Sequence, residues 1–221
     1  MTQPREFWDQ LTADESAALE QAGRRKEFRR GAVIFREADR SDSVVVLRSG
    51  RAKCSVDTAS GTEVVLAVRG PGALLGEFAA IDKGPRSATV TALEPIVALS
   101  VPVAAFEAFL QAHGRVAVLL MRSLTAKMRD SDRKRIEFGA HDTTGRVAAR
   151  LVEMAERFGT RVEDGVKIGL PFSQDELAGW TGASREAVSK ALGVLRSAGE
   201  IRTGRMTVVV KDLQALRRRS E

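Results

Sequence analysis

Between Gly31 and Val103 the chain repeats short, β-branched segments at intervals of about ten residues. Gly, Pro, Asp and Ser separate the segments, which include AVIF, SVVVL, RAKCSV, TEVVLAV and SATVTAL. Many short strands with turn signals between them are typical of a β-sandwich or barrel. A doubly wound α/β fold would need helical segments between successive strands, and this stretch of sequence shows none. We therefore predict a β-sandwich or barrel domain in the first half of the chain.

Helical periodicity replaces this pattern on both sides. Residues 5–22 predict one or two short amphipathic helices, with an apolar set at Phe7, Trp8, Leu11, Ala18 and Leu19. From about residue 103 to residue 140 the period is helical again, and one register forms a heptad seam. Its members lie at alternating steps of four and three: Ala117, Met121, Leu124, Met128, Ser131, Arg135 and Phe138.

The seam is apolar in its first four members and has a polar gap at Ser131 and Arg135 before Phe138. An apolar stripe on a helix must be buried against something. It packs either on its own domain or on a second copy of the same helix. Its length of about three heptads favours the second interpretation. We therefore expect a homodimer whose interface contains a polar window.

Charge and composition limit the classes of partner and site. The formal net charge is +6 and the sequence pI is about 10, which permits a polyanionic partner. A single thiol, Cys54, cannot form an internal disulfide or ligate an iron–sulfur cluster. The two histidines, His113 and His141, lack the spacing of a zinc site. Apolar runs are too short to cross a bilayer, and the polar start differs from a secretion signal. We expect a cytoplasmic protein that binds no metal and contacts no membrane.

The pattern after the seam predicts a further set of helices. Residues from Asp142 to Gly145 break the long helix and offer N-cap side chains for the next one. That helix is predicted from Arg146 to about Phe158, and the turn-rich stretch GTRVEDGVKIGLP behind it is predicted to be a loop. After Pro171 the sequence predicts two more helices and a terminal hairpin in RTGRMTVVV.

The two helices after Pro171 carry a helix-turn-helix pattern, FSQDELAGWTGASREAVSKALGVLRSAG. Ser173 and Glu176 form a capping box at the start of the first helix, and Ser184 caps the second. Between them, Thr181-Gly182-Ala183 makes a short turn. The predicted inner faces are Leu177, Ala178 and Trp180 on the first helix, and Ala187, Val188, Ala191, Leu192 and Leu195 on the second.

The second helix presents Arg185, Glu186, Ser189 and Lys190 outward on its first turns, where a recognition helix meets base edges. Arginine can bond guanine O6 and N7 together, and glutamate can accept from cytosine N4. Ordinary surface charge is the alternative interpretation. The caps, the glycine turn and the basic hairpin that follows favour double-stranded DNA as the partner.

The stretch SREAVSKALGVL resembles the recognition helix of the Crp/Fnr family of bacterial regulators, in its cAMP receptor protein branch. Ser184, Arg185 and Glu186 match, and Lys190 stands where the best-known members carry Arg. The resemblance implies a palindromic operator of GTGA-type half-sites, with Arg185 on a guanine and Glu186 on the cytosine opposite. It places four further contacts at the DNA interface: Gln174, Ser184, Ser189 and, on a phosphate from the wing hairpin, Arg205.

The same resemblance implies an α+β fold in three parts. Residues 1–113 would form a β-roll, a double-stranded β-helix or jelly-roll, that binds a cyclic nucleotide. Residues 114–141 would form a long dimerisation helix with its hinge. Residues 142–221 would form a winged helix-turn-helix. RNA polymerase is a further partner that such a regulator would meet.

A second motif, GEFAAIDKGPRSATV, covers residues 76–90. Gly76 permits a tight turn into a short helix, and Arg86 offers a two-pronged donor to phosphate oxygens. On these residues alone an ordinary ion pair is the simpler interpretation. The segment also resembles the phosphate-binding cassette of cyclic-nucleotide-binding domains, which implies Glu77 on the ribose 2′-hydroxyl, Arg86 on the cyclic phosphate and Ser87 on phosphate or base. Phe78, in place of a common Leu, and Ala79 complete the implied cassette.

In the cAMP receptor branch, an adjacent Thr and Ser on the long helix reach the adenine, and the matching residues here are Ser131 and Asp132. Asp132 could accept from an adenine amino group or favour the donor edge of guanine. We expect cAMP as the effector, with cGMP, a cyclic dinucleotide and nucleotide independence left open. The sequence shows no nucleophile–base pair, Gly-x-Ser-x-Gly elbow or metal cluster, so we do not expect an enzyme.

Overall fold

The chain forms two compact units in a computed structural model that describes residues 6–169, 173–204 and 206–220. Contacts group residues 6–56 with 66–129 in the first unit, and 57–65 with 130–220 in the second. Helices and antiparallel sheets occur in both, which confirms the predicted α+β class. The predicted boundaries after residues 113 and 141 stay predictions.

The first unit is built on two four-stranded sheets packed face to face. Its strands are β1 (Arg24–Phe28), β2 (Val33–Phe35), β3 (Ser43–Ser49), β4 (Ala52–Asp57), β5 (Glu63–Arg69), β6 (Leu74–Leu75), β7 (Thr89–Ala92) and β8 (Ile96–Pro102). One sheet has the order β1-β8-β3-β6 and the other β2-β7-β4-β5. This arrangement confirms the β-roll. The sequence did not predict β1, because its first four residues are charged and exposed.

Helices pack around the roll. A 3-10 helix at Trp8–Gln10 leads to α1 (Ala13–Ala22), as residues 5–22 predicted. A short helix, α2 (Glu77–Asp82), lies between β6 and β7. After β8 come α3 (Val103–Ala112) and the long helix α4 (Gly114–Ala140).

Alternation along β3 sends its side chains into two cores. One core lies between the sheets and contains Val45, Leu47, Val90, Ala92, Ile96 and Ala98. The other lies between a sheet and the helices and contains Val44, Val46, Leu19, Phe106, Phe109 and Leu120. The strand β3 is therefore packed against a core on each of its two faces.

The seam on α4 is partly covered and partly exposed. Leu124 is half-buried against the core between sheet and helices. Met121 and Met128 are 58% and 68% exposed. Ile136, which the seam did not include, is 69% exposed. Both interpretations of the seam therefore keep a structural basis, since some of its side chains pack on the first unit and others do not.

In its described residues the second unit contains a four-stranded sheet of order β11-β12-β10-β9 and four helices that follow α4. Its elements are α5 (Thr143–Phe158), β9 (Thr160–Val162), β10 (Gly165–Gly169), α6 (Gln174–Thr181), α7 (Arg185–Ser197), β11 (Ile201–Gly204), β12 (Thr207–Val210) and α8 (Leu213–Arg219). The terminal hairpin is confirmed as β11 and β12, which form the predicted wing.

Two predictions for this unit need correction, and one of its elements was missed. The helix expected from Arg146 begins at Thr143, because the Asp142 side chain accepts from the Gly145 N–H and caps it there. The stretch expected to be a loop after Phe158 is the hairpin β9–β10, whose second strand pairs with β12. The helix α8 was not predicted.

We find no single helix in the described part of the chain with the length and hydropathy of a membrane span. The helices α3 and α4 meet that test only as a pair, and they are bent by 114° where they join.

Candidate functional site

A glycine turn between β6 and α2 begins the first group of site residues. Gly76 caps α2 and has a left-handed backbone with φ of 81°. A Cβ added to it would lie 2.3 Å from Arg86 Nη1 and 3.0 Å from a ring carbon of Phe35. Both the backbone and the available space therefore call for glycine, and the turn brings Gly76 against Arg86.

The guanidinium of Arg86 is held on several sides, and the residue is only 4% exposed. Nη1 donates to the Gly76 carbonyl at 3.2 Å, and Nη2 donates to the Ser43 carbonyl at 2.6 Å. The Phe35 ring centroid lies 3.6 Å from the guanidinium carbon. Burial lowers the pKa of Arg86, while nearby carboxylates, Asp42 foremost, oppose that shift. The result is a buried, oriented cation beside the start of α2, which suits an anionic ligand.

Glu77 is 2% exposed and pairs with Lys127 of α4, whose Nζ donates to its Oε1. Lys127 also donates to the Leu74 carbonyl at 3.2 Å and lies 5.8 Å from the ring centroid of Phe78. Lys127 is not among the site residues predicted from the sequence. Its place one helical turn before Ser131, on the same face of α4, is the signal that could have found it.

The other predicted effector residues differ in their surroundings. Phe78 is 46% exposed and Ala79 is buried, while Ser87 is exposed directly after the buried arginine. Ser131 and Asp132 are exposed on α4 and fall within the second unit. Within the first unit the structure brings Gly76 and Glu77 close to Arg86.

A cavity of about 340 Å³ opens beside Arg86 inside the roll. Its apolar walls include Phe28, Phe35 and Val45, and Asp42 also lines it. Residues of α2 do not line it. The arginine thus borders two spaces, the start of α2 and the interior of the roll.

The helices α6 and α7 form the predicted helix-turn-helix. Ser173 and Glu176 each accept from the other's backbone N–H, which is the expected capping box. Gly182 ends α6 in a left-handed conformation with φ of 59°, and Ser184 caps α7 by accepting from the Ala187 N–H. Of the predicted inner faces, Ala187 is only half-buried. The others are buried: Leu177, Ala178, Trp180, Val188, Ala191, Leu192 and Leu195.

The outer face of these helices carries the predicted DNA-binding side chains. Those that the structure describes are all exposed: Gln174, Ser184, Arg185, Glu186, Ser189 and Lys190. Arg205, the expected phosphate contact of the wing, lies outside the described residues. A hydrogen bond from its own backbone N–H, and then one from Ser184, lower the pKa of Glu186. Its carboxylate is therefore ionised at neutral pH and can accept hydrogen bonds.

An ion pair that the sequence did not predict lies on this face. Nη1 of Arg185 is 3.8 Å from Oδ2 of Asp175, which stands in the first turn of α6. Their side chains are 63% and 67% exposed, so both are open to a ligand that approaches the helix-turn-helix.

Two domain families match the sequence. The Cyclic nucleotide-binding domain matches residues 25–113, and the Crp-like helix-turn-helix domain matches residues 145–219. A CRP-like cAMP-activated global transcriptional regulator from Mycobacterium tuberculosis is 30% identical over 204 residues, which cover 92% of this chain and 91% of that protein. The chain belongs to the Crp/Fnr family.

Other Crp/Fnr proteins resemble it along most of their length. The Cyclic AMP receptor protein of Thermus thermophilus is 29% identical over 192 residues, 87% of this chain and 86% of that protein. The solved structure of TTHB099, a CRP-family transcriptional regulator from the same organism, has a TM-score of 0.74 at 26% identity and covers 88% of this chain and 96% of that one. FixK2 from Bradyrhizobium japonicum shares the fold, with a TM-score of 0.80 at 21% identity over 90% of this chain and 98% of that one.

This Crp/Fnr protein is a DNA-binding transcription regulator with a cyclic-nucleotide-binding domain, and its relatives are regulators rather than enzymes. Within residues 6–169, 173–204 and 206–220, no three His, Cys, Asp or Glu side chains are placed to hold a metal ion.

In this Crp/Fnr protein, charged side chains join the end of α4 to the helices of the DNA-binding domain. Arg150 of α5 is 5% exposed and donates to Glu137 of α4 and, at 3.0 Å, to Glu153. Its guanidinium carbon lies 5.7 Å from the ring centroid of Trp180 in α6. Lys134 of α4 lies 3.6 Å from Glu153. The end of the long helix is therefore tied to α5, and α5 to the helix-turn-helix.

Phe138, the last member of the predicted seam, contacts the turn of its own chain. A Cβ added to Gly182 would lie 2.4 Å from its ring, and the Arg146 guanidinium carbon is 5.5 Å from its centroid. Arg146 in turn donates to the Thr181 carbonyl at 2.7 Å. The ring is still 47% exposed, so this contact covers only part of it.

Proposed function

We propose that this protein is a homodimeric, cAMP-responsive regulator that binds a palindromic operator with GTGA-type half-sites. The observation that carries the proposal is the pair of buried, oppositely charged side chains, Arg86 and Glu77, beside the start of α2. Arg86 offers a fixed cation to a cyclic phosphate, and Glu77 offers carboxylate oxygens to the ribose 2′-hydroxyl. Gly76 fits the same ligand, because a residue without a side chain lets the ligand approach the backbone closely.

The names of two relatives favour cAMP. The M. tuberculosis protein is named as cAMP-activated, and the T. thermophilus protein as a cyclic AMP receptor. We assign Phe78, Ala79 and Ser87 to the same site, where the Ser87 hydroxyl can donate to phosphate or base. Because Lys127 contacts Glu77, a bound ribose would share that carboxylate with a cation of the long helix.

Base preference is assigned to Ser131 and Asp132. The Ser131 hydroxyl can donate to or accept from an adenine edge. The Asp132 carboxylate can accept from the adenine amino group, and it can equally accept from the N–H donors of guanine. For this reason cGMP is the principal competitor of cAMP.

The exposed apolar side chains of α4 favour a homodimer. Met121, Met128 and Ile136 are large and lie open on a helix of 27 residues. Such a face is normally covered by a partner. In a symmetric dimer the two recognition helices would lie about 34 Å apart, one turn of DNA, which matches a palindrome.

Within each half-site we assign Arg185 to guanine O6 and N7 and Glu186 to cytosine N4. Lys190 adds a point charge, which recognises guanine less specifically than the fork of an arginine. Further contacts to phosphates and base edges are assigned to Gln174, Ser184, Ser189 and Arg205.

Nucleotide can switch DNA binding only if it binds the DNA-competent state more tightly than the other state. The proposed route is the long helix α4, whose last turns carry Glu137 and Phe138 against the DNA-binding helices. We place the regulator in the cytoplasm, where it meets operator DNA and RNA polymerase.

Isothermal calorimetry with cAMP, cGMP and cyclic di-GMP tests the effector site. We expect saturable binding that is tightest for cAMP and weaker by about ten-fold or more in Arg86→Ala, because a charged hydrogen-bond donor is lost. Arg29→Ala, at an exposed arginine of the same unit, is the matched control. Binding of no nucleotide, or cAMP binding unchanged by Arg86→Ala, contradicts the proposal. Tighter binding of cGMP or cyclic di-GMP reassigns the effector.

A further inference from the structure

The carboxylate of Asp175 lies close to Arg185 of the recognition helix. Glu176, the next residue, is the one that closes the capping box with Ser173. Asp175 instead points its Oδ2 towards Nη1 of Arg185, the first residue of α7, at 3.8 Å. The contact bridges the two helices of the DNA-binding motif within one unit.

In a helix-turn-helix the first helix crosses the DNA backbone and the second enters the major groove. Asp175 in the first turn of α6 therefore stands on the phosphate side, while Arg185 stands on the base side. A phosphate that approaches Arg185 would also approach the Asp175 carboxylate, and like charges repel. Guanine O6 and N7 are neutral acceptors, so they meet no such repulsion.

Arg185 can bond the Asp175 carboxylate and a guanine edge at the same time. Its planar fork carries five N–H donors, and a carboxylate at Nη1 leaves other donors for a guanine edge. The ion pair also limits the rotamers of an otherwise exposed, flexible side chain.

We propose that Asp175 is a specificity-determining residue that acts through Arg185. It lowers affinity for the phosphates of non-operator DNA and preserves affinity for a guanine in the operator. The inference rests on the proposed contact between Arg185 and guanine.

Fluorescence anisotropy with two duplexes of equal length tests this, one with palindromic GTGA half-sites and one scrambled, each with and without cAMP. We expect Asp175→Asn to bind the scrambled duplex about three- to five-fold more tightly, the range of an exposed charge pair. Its salt dependence should steepen by about one released counterion. Operator affinity should change by less than about two-fold, so the ratio of operator affinity to scrambled-duplex affinity should fall.

Three further variants make the test specific. Glu163→Gln removes the same charge from the exposed turn between β9 and β10 and should leave both affinities unchanged. Asp175→Glu should retain the wild-type ratio. In an Arg185→Ala background, Asp175→Asn should no longer change the ratio, because the coupled partner is gone.

The inference is overturned if Asp175→Asn leaves the ratio of operator to scrambled-duplex affinity unchanged. It is also overturned if Asp175→Asn lowers that ratio equally in the wild-type and Arg185→Ala backgrounds. The proposed function is judged separately by Arg185→Ala alone. If that variant binds the operator as wild type does, the assignment of Arg185 to guanine fails and the inference fails with it. If Arg185→Ala weakens operator binding while Asp175→Asn has no effect, only the inference fails.

Discussion

Replacing Arg150 by Met should destabilise the second unit of the fold. The substitution keeps a long apolar stem and removes a guanidinium that contacts Glu137 and Glu153. Breaking a buried ion pair by removing one partner typically costs about 3–5 kcal/mol. Here other cations remain near the two carboxylates. Lys134 Nζ lies 3.6 Å from Glu153 Oε2, and Arg133 Nε lies 3.7 Å from Glu137 Oε1. We therefore expect about 2 kcal/mol, below the usual range for an uncompensated pair.

Urea unfolding followed by the fluorescence of Trp180 measures this loss, in a Trp8→Phe background that leaves one indole in the chain. With a slope of about 1–2 kcal/mol per molar urea, the midpoint should fall by about 1–2 M. Arg218→Met, at an exposed arginine of α8, is the control and should stay within about 0.5 kcal/mol of wild type. If Arg150→Met loses no more stability than Arg218→Met, the ion pairs do not hold the end of α4 as described.

Three further predictions concern single side chains. Gly76→Ala should weaken cAMP binding in calorimetry while the fold persists by circular dichroism, because its left-handed backbone would be strained by about 1–2 kcal/mol. A hydrogen bond from Arg115 leads the causes that lower the pKa of Glu15 to about 2 in the folded chain. The stability that this pair contributes is present above the unfolded pKa of about 4.3 and is lost as the pH falls towards 2, so Glu15→Gln should flatten urea stability over that range. Gly182→Ala should lower the melting temperature, since its Cβ would meet the ring of Phe138 at 2.4 Å.

The features that the sequence predicted well are local ones. The capping box of Ser173 and Glu176, the left-handed Gly182 and the cap at Ser184 each depend on residues within four positions of one another. Backbone hydrogen bonding at a helix end leaves few choices, so a short motif predicts the geometry. The β-roll was predictable for a related reason, because alternating burial in strands leaves a period in the sequence.

Contacts between distant residues left no such signal. Lys127 meets Glu77 across 50 positions, and Arg150 meets Glu137 across a helix break. Nothing in the spacing of these residues distinguishes them from other surface charges, which are common on helices. The role of Arg86 shows the same limit of sequence-based prediction. In the sequence, an arginine near a glycine turn is typical of an ordinary ion pair, and its burial is seen only in the structure.

The hairpin after Phe158 was hidden for a different reason. Its turn residues were recognised, but the short strand β10 gains its stability from pairing with β12, which is some forty residues later in the chain, and β9 pairs in turn with β10. Strand propensity depends strongly on such partners. A loop and a two-stranded extension of a sheet therefore have similar local sequences.

Operator affinity as a function of cAMP concentration tests the proposed function most directly. A fluorescent duplex with two GTGA half-sites in a palindrome is titrated with wild-type protein at fixed salt, first without cAMP and then at saturation. We predict affinity about ten- to hundred-fold higher with cAMP, a coupling of the size usual for allosteric regulators, and a clear preference over a scrambled duplex. Equal affinity with and without cAMP, or equal affinity for the scrambled duplex, would contradict the proposal.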